Sequence, residues 1–314
     1  MSKHSLLLTM LITCTALFCS ASPASAQPWR VGTWKTAQTY QPYFYEQFSE
    51  GQEVRVFPFT NPADQKAALL AGSLDMTGTT LAHAIASASR GEPIVIVAAL
   101  CNKSSALVVG KDSSVQEVRD LKGLRIGYVP GTMHEILLRE VLARNGLDSR
   151  RDVSLVRVDF FDMGLALARN DIDAFLSGEP FPSLAVHQGY GRILAHPYFD
   201  DSIGPINAAM IVARRTVEQR PDLVQRMVDV HVRATKHLLD NEEEWLQAAA
   251  DFGTPLEVLR LAAENIELAW EMNETFIRQV AALGRRMLEL GLIEREPDYD
   301  RLIDPRFVAR FAAE

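Results

Sequence analysis

An α/β fold of two lobes is what this sequence predicts, and three observations predict it. Short apolar runs alternate with amphipathic stretches through the first two thirds of the 314 residues, the βαβα rhythm of sheets with helices packed on them. The rhythm comes in two sets, 29–100 and 106–194. From Thr216 onward the chain turns purely helical, with long amphipathic segments at 223–239 and 256–270.

The elements follow in order. Residues 29–34 read as a strand, 43–48 as part of a helix, and 53–59 as a strand with alternating Val54 and Val56. Residues 63–71 are helical, and Gly72-Ser73 turns the chain into the short apolar pair Leu74 and Met76. The Ala-rich stretch 80–90 is a helix. The unbroken run 94–100 suits a strand buried on both faces. In the second set, 106–109 is a strand, 115–121 a short helix and 124–129 a strand entered through Lys122-Gly123. Pro130-Gly131-Thr132 opens a helix that Gly146 stops. Residues 153–158 form a strand, 163–169 a helix, 172–176 a strand; Pro180 opens another helix and 192–194 is a small strand. The apolar run 206–213 returns before the helical tail. This predicts a leader at 1–26, one lobe from 27–108 and 207–314, and the other from 109–206. Crossings lie near 106–110 and 206–212, with a ligand cleft between the lobes at the strand ends. No segment repeats another in sequence.

Residues 1–26 have a positive start at Lys3, an apolar run from Leu6 to Phe18 and the exit Ala24-Ser25-Ala26, the pattern of a cleaved secretory signal peptide. The mature protein is expected in the periplasm. The net charge of −8 becomes −9 once that segment and its one lysine are gone. An acidic chain argues against nucleic acid or an anionic membrane surface as partner. Cys14 and Cys19 leave with the leader, so Cys101 remains alone and no internal disulfide can form.

Four segments carry a family likeness. Ala68-Leu69-Leu70-Ala71-Gly72-Ser73-Leu74-Asp75 resembles the A-L-x-x-G-x-x-D element of the nitrate/sulfonate/taurine type of ABC-transporter substrate-binding proteins. Gly91-Glu92-Pro93-Ile94-Val95-Ile96-Val97 is similar to that family's central strand. Asp120-Leu121-Lys122-Gly123 with Arg125-Ile126-Gly127 resembles its entry to the second lobe, and Asn170-Asp171-Ile172-Asp173-Ala174 with Glu179-Pro180 its x-G-x-V-D-A…x-E-P segment. The resemblance implies a two-lobed type II periplasmic binding fold that closes on a small solute and delivers it to an inner-membrane ABC permease. It implies a monomer with no cofactor, no metal and no catalysis. The solutes it implies are sulfonates, taurine, nitrate or heterocycles. Asn170 and Gly178 depart from the family pattern, near the cleft wall. Two alternatives share the scaffold. One is an enzyme like the fungal pyrimidine synthases, which would need a cysteine cluster absent here. The other is a ligand-sensing module for a membrane receptor.

The candidate binding residues sit at strand ends and helix starts. Trp34 offers a stacking surface and Lys35 a cation after the first strand. Asn61, Thr79, Thr80 and Thr132 stand at helix starts, where free backbone N–H groups attract anionic or carbonyl oxygens. Gly131 lets the backbone approach a ligand. His134 follows it; His134-Glu135 superficially matches a zinc-protease helix, but Leu138 occupies the second ligand position. Asn102 follows the central strand, Asp162 precedes a helix, and Glu179 ends another strand.

Overall fold

The computed structural model describes residues 27–60 and 62–311; the expected leader and Asn61 lie outside them. The strands of the described residues are β1 (Trp29–Trp34), β2 (Val54–Phe59), β3 (Met76–Thr80), β4 (Ile94–Lys103), β5 (Ser105–Gly110), β6 (Arg125–Tyr128), β7 (Ser154–Arg157), β8 (Ala174–Gly178), β9 (Gly191–Ala195), β10 (Ile206–Ala213) and β11 (Ile266–Leu268). They form two sheets, ordered β11-β4-β10-β3-β1-β2 and β7-β6-β8-β5-β9. The chain leaves the first sheet after Lys103, enters the second at Ser105, and re-enters the first at Ile206.

Burial follows position in the sheet. Central β10 is buried throughout, and β4 is buried from Ile94 to Cys101. Edge strand β2 alternates half-buried Val54 and Val56 with exposed Arg55 and Phe57, and carries Pro58 where its missing N–H costs no ladder bond. The C-terminal helices pack into the larger lobe: Val228 and Val232 from helix Pro221–Asp240 and Val280 and Leu283 from helix Glu274–Glu289 share its core with Ile96 and Met210. The smaller lobe has a core on each face of its sheet, one around Leu107, Leu138 and Leu176, the other around Val108, Phe175 and Ala185.

The lobes repeat one another in structure. In each, a first strand pairs in parallel with the next two, β1 with β2 and β3, and β6 with β7 and β8. An antiparallel strand, β10 or β5, then joins the third. The repeat reaches individual residues. Arg30 donates from its backbone N and Nε to Asp75 Oδ2 (3.0 and 3.1 Å), and Arg125 does the same to Asp173 Oδ2 (2.8 and 3.0 Å). Gly32 and Gly127 stand two residues beyond each arginine. The sequence shows no repeat because only Arg-x-Gly and a distant aspartate are shared, across intervals of 45 and 48 residues, too sparse to register there.

Three elements differ from expectation. The 115–121 helix shrinks to a 3-10 turn at Val118–Leu121, closed by Glu117 and Asp120 in a reciprocal cap. Thr79 and Asn102 lie within β3 and β4 rather than beyond them, while Thr80 ends β3 and caps the next helix as expected. The long helix expected at 256–270 stops at Ala263, and Ile266–Leu268 instead pairs with Cys101–Lys103 on the free edge of β4. Tertiary pairing overrides a local helical pattern there.

Candidate functional site

Strand ends from both lobes converge on one cleft. From the larger lobe come Trp34 and Phe59, the paired last residues of β1 and β2, with Thr60, Thr80 at the end of β3, Cys101 in β4, and Asn207 and Ala208 in β10. The 3-10 turn after β1 adds Gln38. From the smaller lobe come His134 in the first turn of helix Met133–Arg144, Phe160 and Phe161 after β7, Gly178 at the end of β8, and Phe181. The enclosed volume is about 40 Å³, room for a few waters or one slender ligand between closely set walls.

The walls are aromatic. Phe160 and Phe181 lie nearly parallel (12°) with centroids 5.9 Å apart, Phe161 meets Phe181 edge-on at 4.9 Å, and His134 meets Phe160 edge-on at 5.9 Å. Polar groups punctuate them. Gln38 is buried and its Oε1 has no partner among the described residues. His134 is fixed through Nδ1 to Ser105 Oγ at 3.1 Å, which leaves Nε2 for the cleft. Burial holds the His134 imidazole down to about 4, so it is neutral at physiological pH. A side chain at Gly178 would meet it: a Cβ there would stand 2.8 Å from His134 Nε2 and 3.2 Å from Gln38 Nε2. Glycine at this departure from the family pattern is what lets the two polar groups approach across the cleft.

None of the lining side chains carries a full charge at neutral pH. The helix start that would attract an anion is already served. Glu135 Oε2 accepts from Gly131 N at 2.7 Å, and Thr132 Oγ1 accepts from Glu135 N while donating to Val129 O at 2.8 Å. On the other side, Thr80 Oγ1 accepts from His83 N at 3.2 Å.

The expected residues therefore divide. Trp34, Thr80 and His134 come together in the cleft. Lys35 is exposed, because successive strand-end residues face opposite ways and Trp34 takes the inward position. Thr79 is buried inside β3, opposite Ala209. Thr132 is fully buried as a cap, and Gly131, at φ +74°, packs against the His83 ring. Asn102 donates to Glu267 Oε1 at 2.9 Å. Asp162 is exposed, and its predecessors Phe160 and Phe161 hold the cleft wall instead. Glu179 lies behind the cleft, facing a hollow at the crossing between the lobes. Gln38, Phe59, Phe160, Phe161, Phe181 and Asn207 escaped the sequence reading. Phe160-Phe161 directly after a strand was a readable signal; Gln38 and Asn207 carried none.

Among the described residues no helix is long and apolar enough to cross a membrane, and no group of three His, Cys, Asp or Glu is placed to hold a metal. Solved structures share this arrangement, binding proteins among them. The alkanesulfonate-binding protein of Xanthomonas axonopodis pv. citri superposes with a TM-score of 0.78 at 21% identity, over 90% of this chain and 99% of its own. The nitrate-binding protein of Synechocystis does so at 0.76 and 16%, over 91% and 88%. Among sequences, a Brucella abortus protein named as a binding protein is 28% identical over 70% of this chain and 68% of its own length. A 4-amino-5-hydroxymethyl-2-methylpyrimidine phosphate synthase of Schizosaccharomyces pombe is 32% identical, but over 41% of this chain and only 36% of its length. The pattern of the NMT1-like family matches residues 35–251, and the chain belongs to that family.

Proposed function

We propose that this chain is the solute-capturing component of an ABC importer, exported to the periplasm, and that its solute is a small, uncharged, planar ring compound. The observation that carries this reading is the cleft lining: aromatic faces from both lobes, neutral polar groups, and no ionised side chain. Burying an anion such as a sulfonate or nitrate there would leave its charge without a partner, a cost of several kcal/mol. A flat ring instead stacks between Trp34 and Phe59 on one side and Phe160 and Phe181 on the other. A ring N–H or exocyclic amine donates to Gln38 Oε1, and His134 Nε2 supplies the second polar contact.

Capture requires no chemistry. Burial pushes the Cys101 thiol up to about 12, so it holds no thiolate at neutral pH. Closure then follows from differential affinity: a ligand that touches both walls favours the closed lobes. The test is a thermal-shift and calorimetry screen of neutral heteroaromatics, cytosine and nicotinamide among them, against taurine and nitrate. A neutral ring at 100 times its Kd adds roughly 2.7 kcal/mol of stability. Trp34→Ala and His134→Ala each weaken it at least about tenfold, as expected for loss of a buried aromatic or hydrogen-bonding contact. Stabilisation by taurine or nitrate alone refutes the solute class; turnover of a bound ring refutes capture without chemistry.

A further inference from the structure

Two consecutive non-glycine residues at the crossing between the lobes hold left-handed backbone, Lys103 at φ +58° and Ser104 at φ +74°. Such a pair is uphill for residues with a Cβ and persists only where its surroundings hold it. Here they do. Lys103 N donates to Pro205 O at 2.7 Å, Ser104 N to Asn265 O at 2.7 Å, and Glu179 N to Ser104 O at 2.7 Å. Asn207 completes the hold, its Nδ2 donating to Lys103 O at 2.8 Å and lying 3.0 Å from Ser104 Oγ. The carbonyl partner settles which end of the amide is which, since a carbonyl cannot bond another acceptor.

Asn207 reaches this position through a fault in the ladder. Along β10, Ile206 pairs with Asn102 and Ala208 with Cys101, so Asn207 is the extra residue of a bulge. Bulges re-aim a side chain, and often do so beside functional sites. This one puts Asn207 in two places, on the cleft wall and on the crossing. The residue is 5% exposed, and its Oδ1 accepts from no group of the described residues. His134 mirrors it from the smaller lobe, lining the cleft while bonded to Ser105 Oγ, the next residue of the crossing.

We infer that Asn207 is the residue that couples cleft occupancy to the interlobe hinge: its Oδ1 takes a donor from the bound solute while its Nδ2 holds Lys103-Ser104 in this left-handed geometry. The inference rests on the cleft reading for its ligand half only. A donor bound at Oδ1 polarises the amide and strengthens the Nδ2 bonds, so occupancy and hinge geometry reinforce one another.

Site-resolved amide hydrogen exchange on the purified protein tests it, with cytosine as probe. Without probe, Asn207→Ala raises exchange of the Ser104 and Glu179 amides about tenfold, the loss of one to two net hydrogen bonds, while amides in β1 and β3 keep their rates. Asn207→Asp, equal in size but presenting an acceptor to Lys103 O, does the same. With saturating cytosine, the hinge amides slow in the wild type and not in either variant. Unchanged hinge exchange in both variants without probe overturns the inference, as does equal slowing by cytosine in wild type and variants. A wild type that does not bind cytosine refutes that solute instead, and the probe-free arm then decides the hinge role alone.

Discussion

Glu179 is 1% exposed, its Oε2 accepting from Ser183 N at 3.2 Å, and burial pushes its carboxyl up to about 7. In the unfolded chain the same group has its ordinary value near 4.5. Between those values the folded state keeps a proton the unfolded state has released, so this residue withdraws stability as pH rises from about 4.5 to 7. The interval corresponds to about 3 kcal/mol. Buried His134 and His231 act in the opposite direction: burial holds both down to about 4, so each costs stability as pH falls from 6.5 toward 4. Glu179→Gln removes only the first contribution. Urea titrations at pH 5 and pH 8 should therefore show the variant gaining on the wild type by up to about 3 kcal/mol at the higher pH. A constant difference between the two proteins would show that Glu179 ionises freely in the folded state. The position of this carboxylate also shows what sequence conveys at the residue scale. A strand end before a proline was legible, but whether its side chain faces the ligand or the crossing depends on which way the next helix leaves.

At the scale of elements, the repeated Arg-x-Gly strands make a sharper case. A Cβ at Gly127 would stand 2.7 Å from Ile172 Cδ1 and 3.3 Å from Phe175 Cβ; at Gly32 it would stand 2.4 Å from Thr77 Oγ1 and 2.7 Å from Leu74 Cδ1. In both lobes the first strand needs a glycine so that the third can lie beside it. Gly127→Ala and Gly32→Ala should each cost about 1–3 kcal/mol by overpacking, measured by chemical denaturation. The first should loosen amides of β6 and β8 and the second those of β1 and β3; an alanine accommodated without loss at either site would break the equivalence. The central strands were the most legible, since β4 from Ile94 to Cys101 and β10 from Ala208 to Ala213 are runs of apolar residues whose burial needs a sheet. The cap at Thr80 and the turn at Gly131-Thr132 were legible too. The cleft was legible where it uses strand ends, as at Trp34. It was illegible where it depends on a ladder fault, as at Asn207, or on a 3-10 turn, as at Gln38. Such features arise from the pairing of distant segments, and β11 was missed for the same reason.

For the whole molecule, the lobes meet along a seam as well as at the hinge. Met133 and Ile136, from the smaller lobe's helix, belong to the larger lobe's apolar core. Further along that helix Glu140 accepts from Arg286 Nε at 2.7 Å across the seam and from its own neighbour Arg144 Nε at 2.9 Å. Arg150 donates to Leu290 O at 3.3 Å. The seam ion pair is only partly exposed, with Glu140 at 13% and Arg286 at 28%, so it is screened less than a surface pair. Arg286→Ala removes the crossing contact but leaves Glu140 paired with Arg144, so no buried charge is orphaned and each lobe should keep its stability. What changes is the balance between closed and open lobes. A closed state weakened by about 1 kcal/mol lowers apparent solute affinity by at most about fivefold, and by less the more closed the wild type is at rest, because affinity scales with the fraction of molecules competent to bind. Small-angle scattering of the solute-free protein should show a larger radius of gyration in Arg286→Ala than in the wild type. Added salt should expand the wild type toward the variant and leave the variant unchanged. Identical scattering curves at low salt would mean that Met133 and Ile136 hold the seam by themselves, and that the ion pair sets neither closure nor affinity.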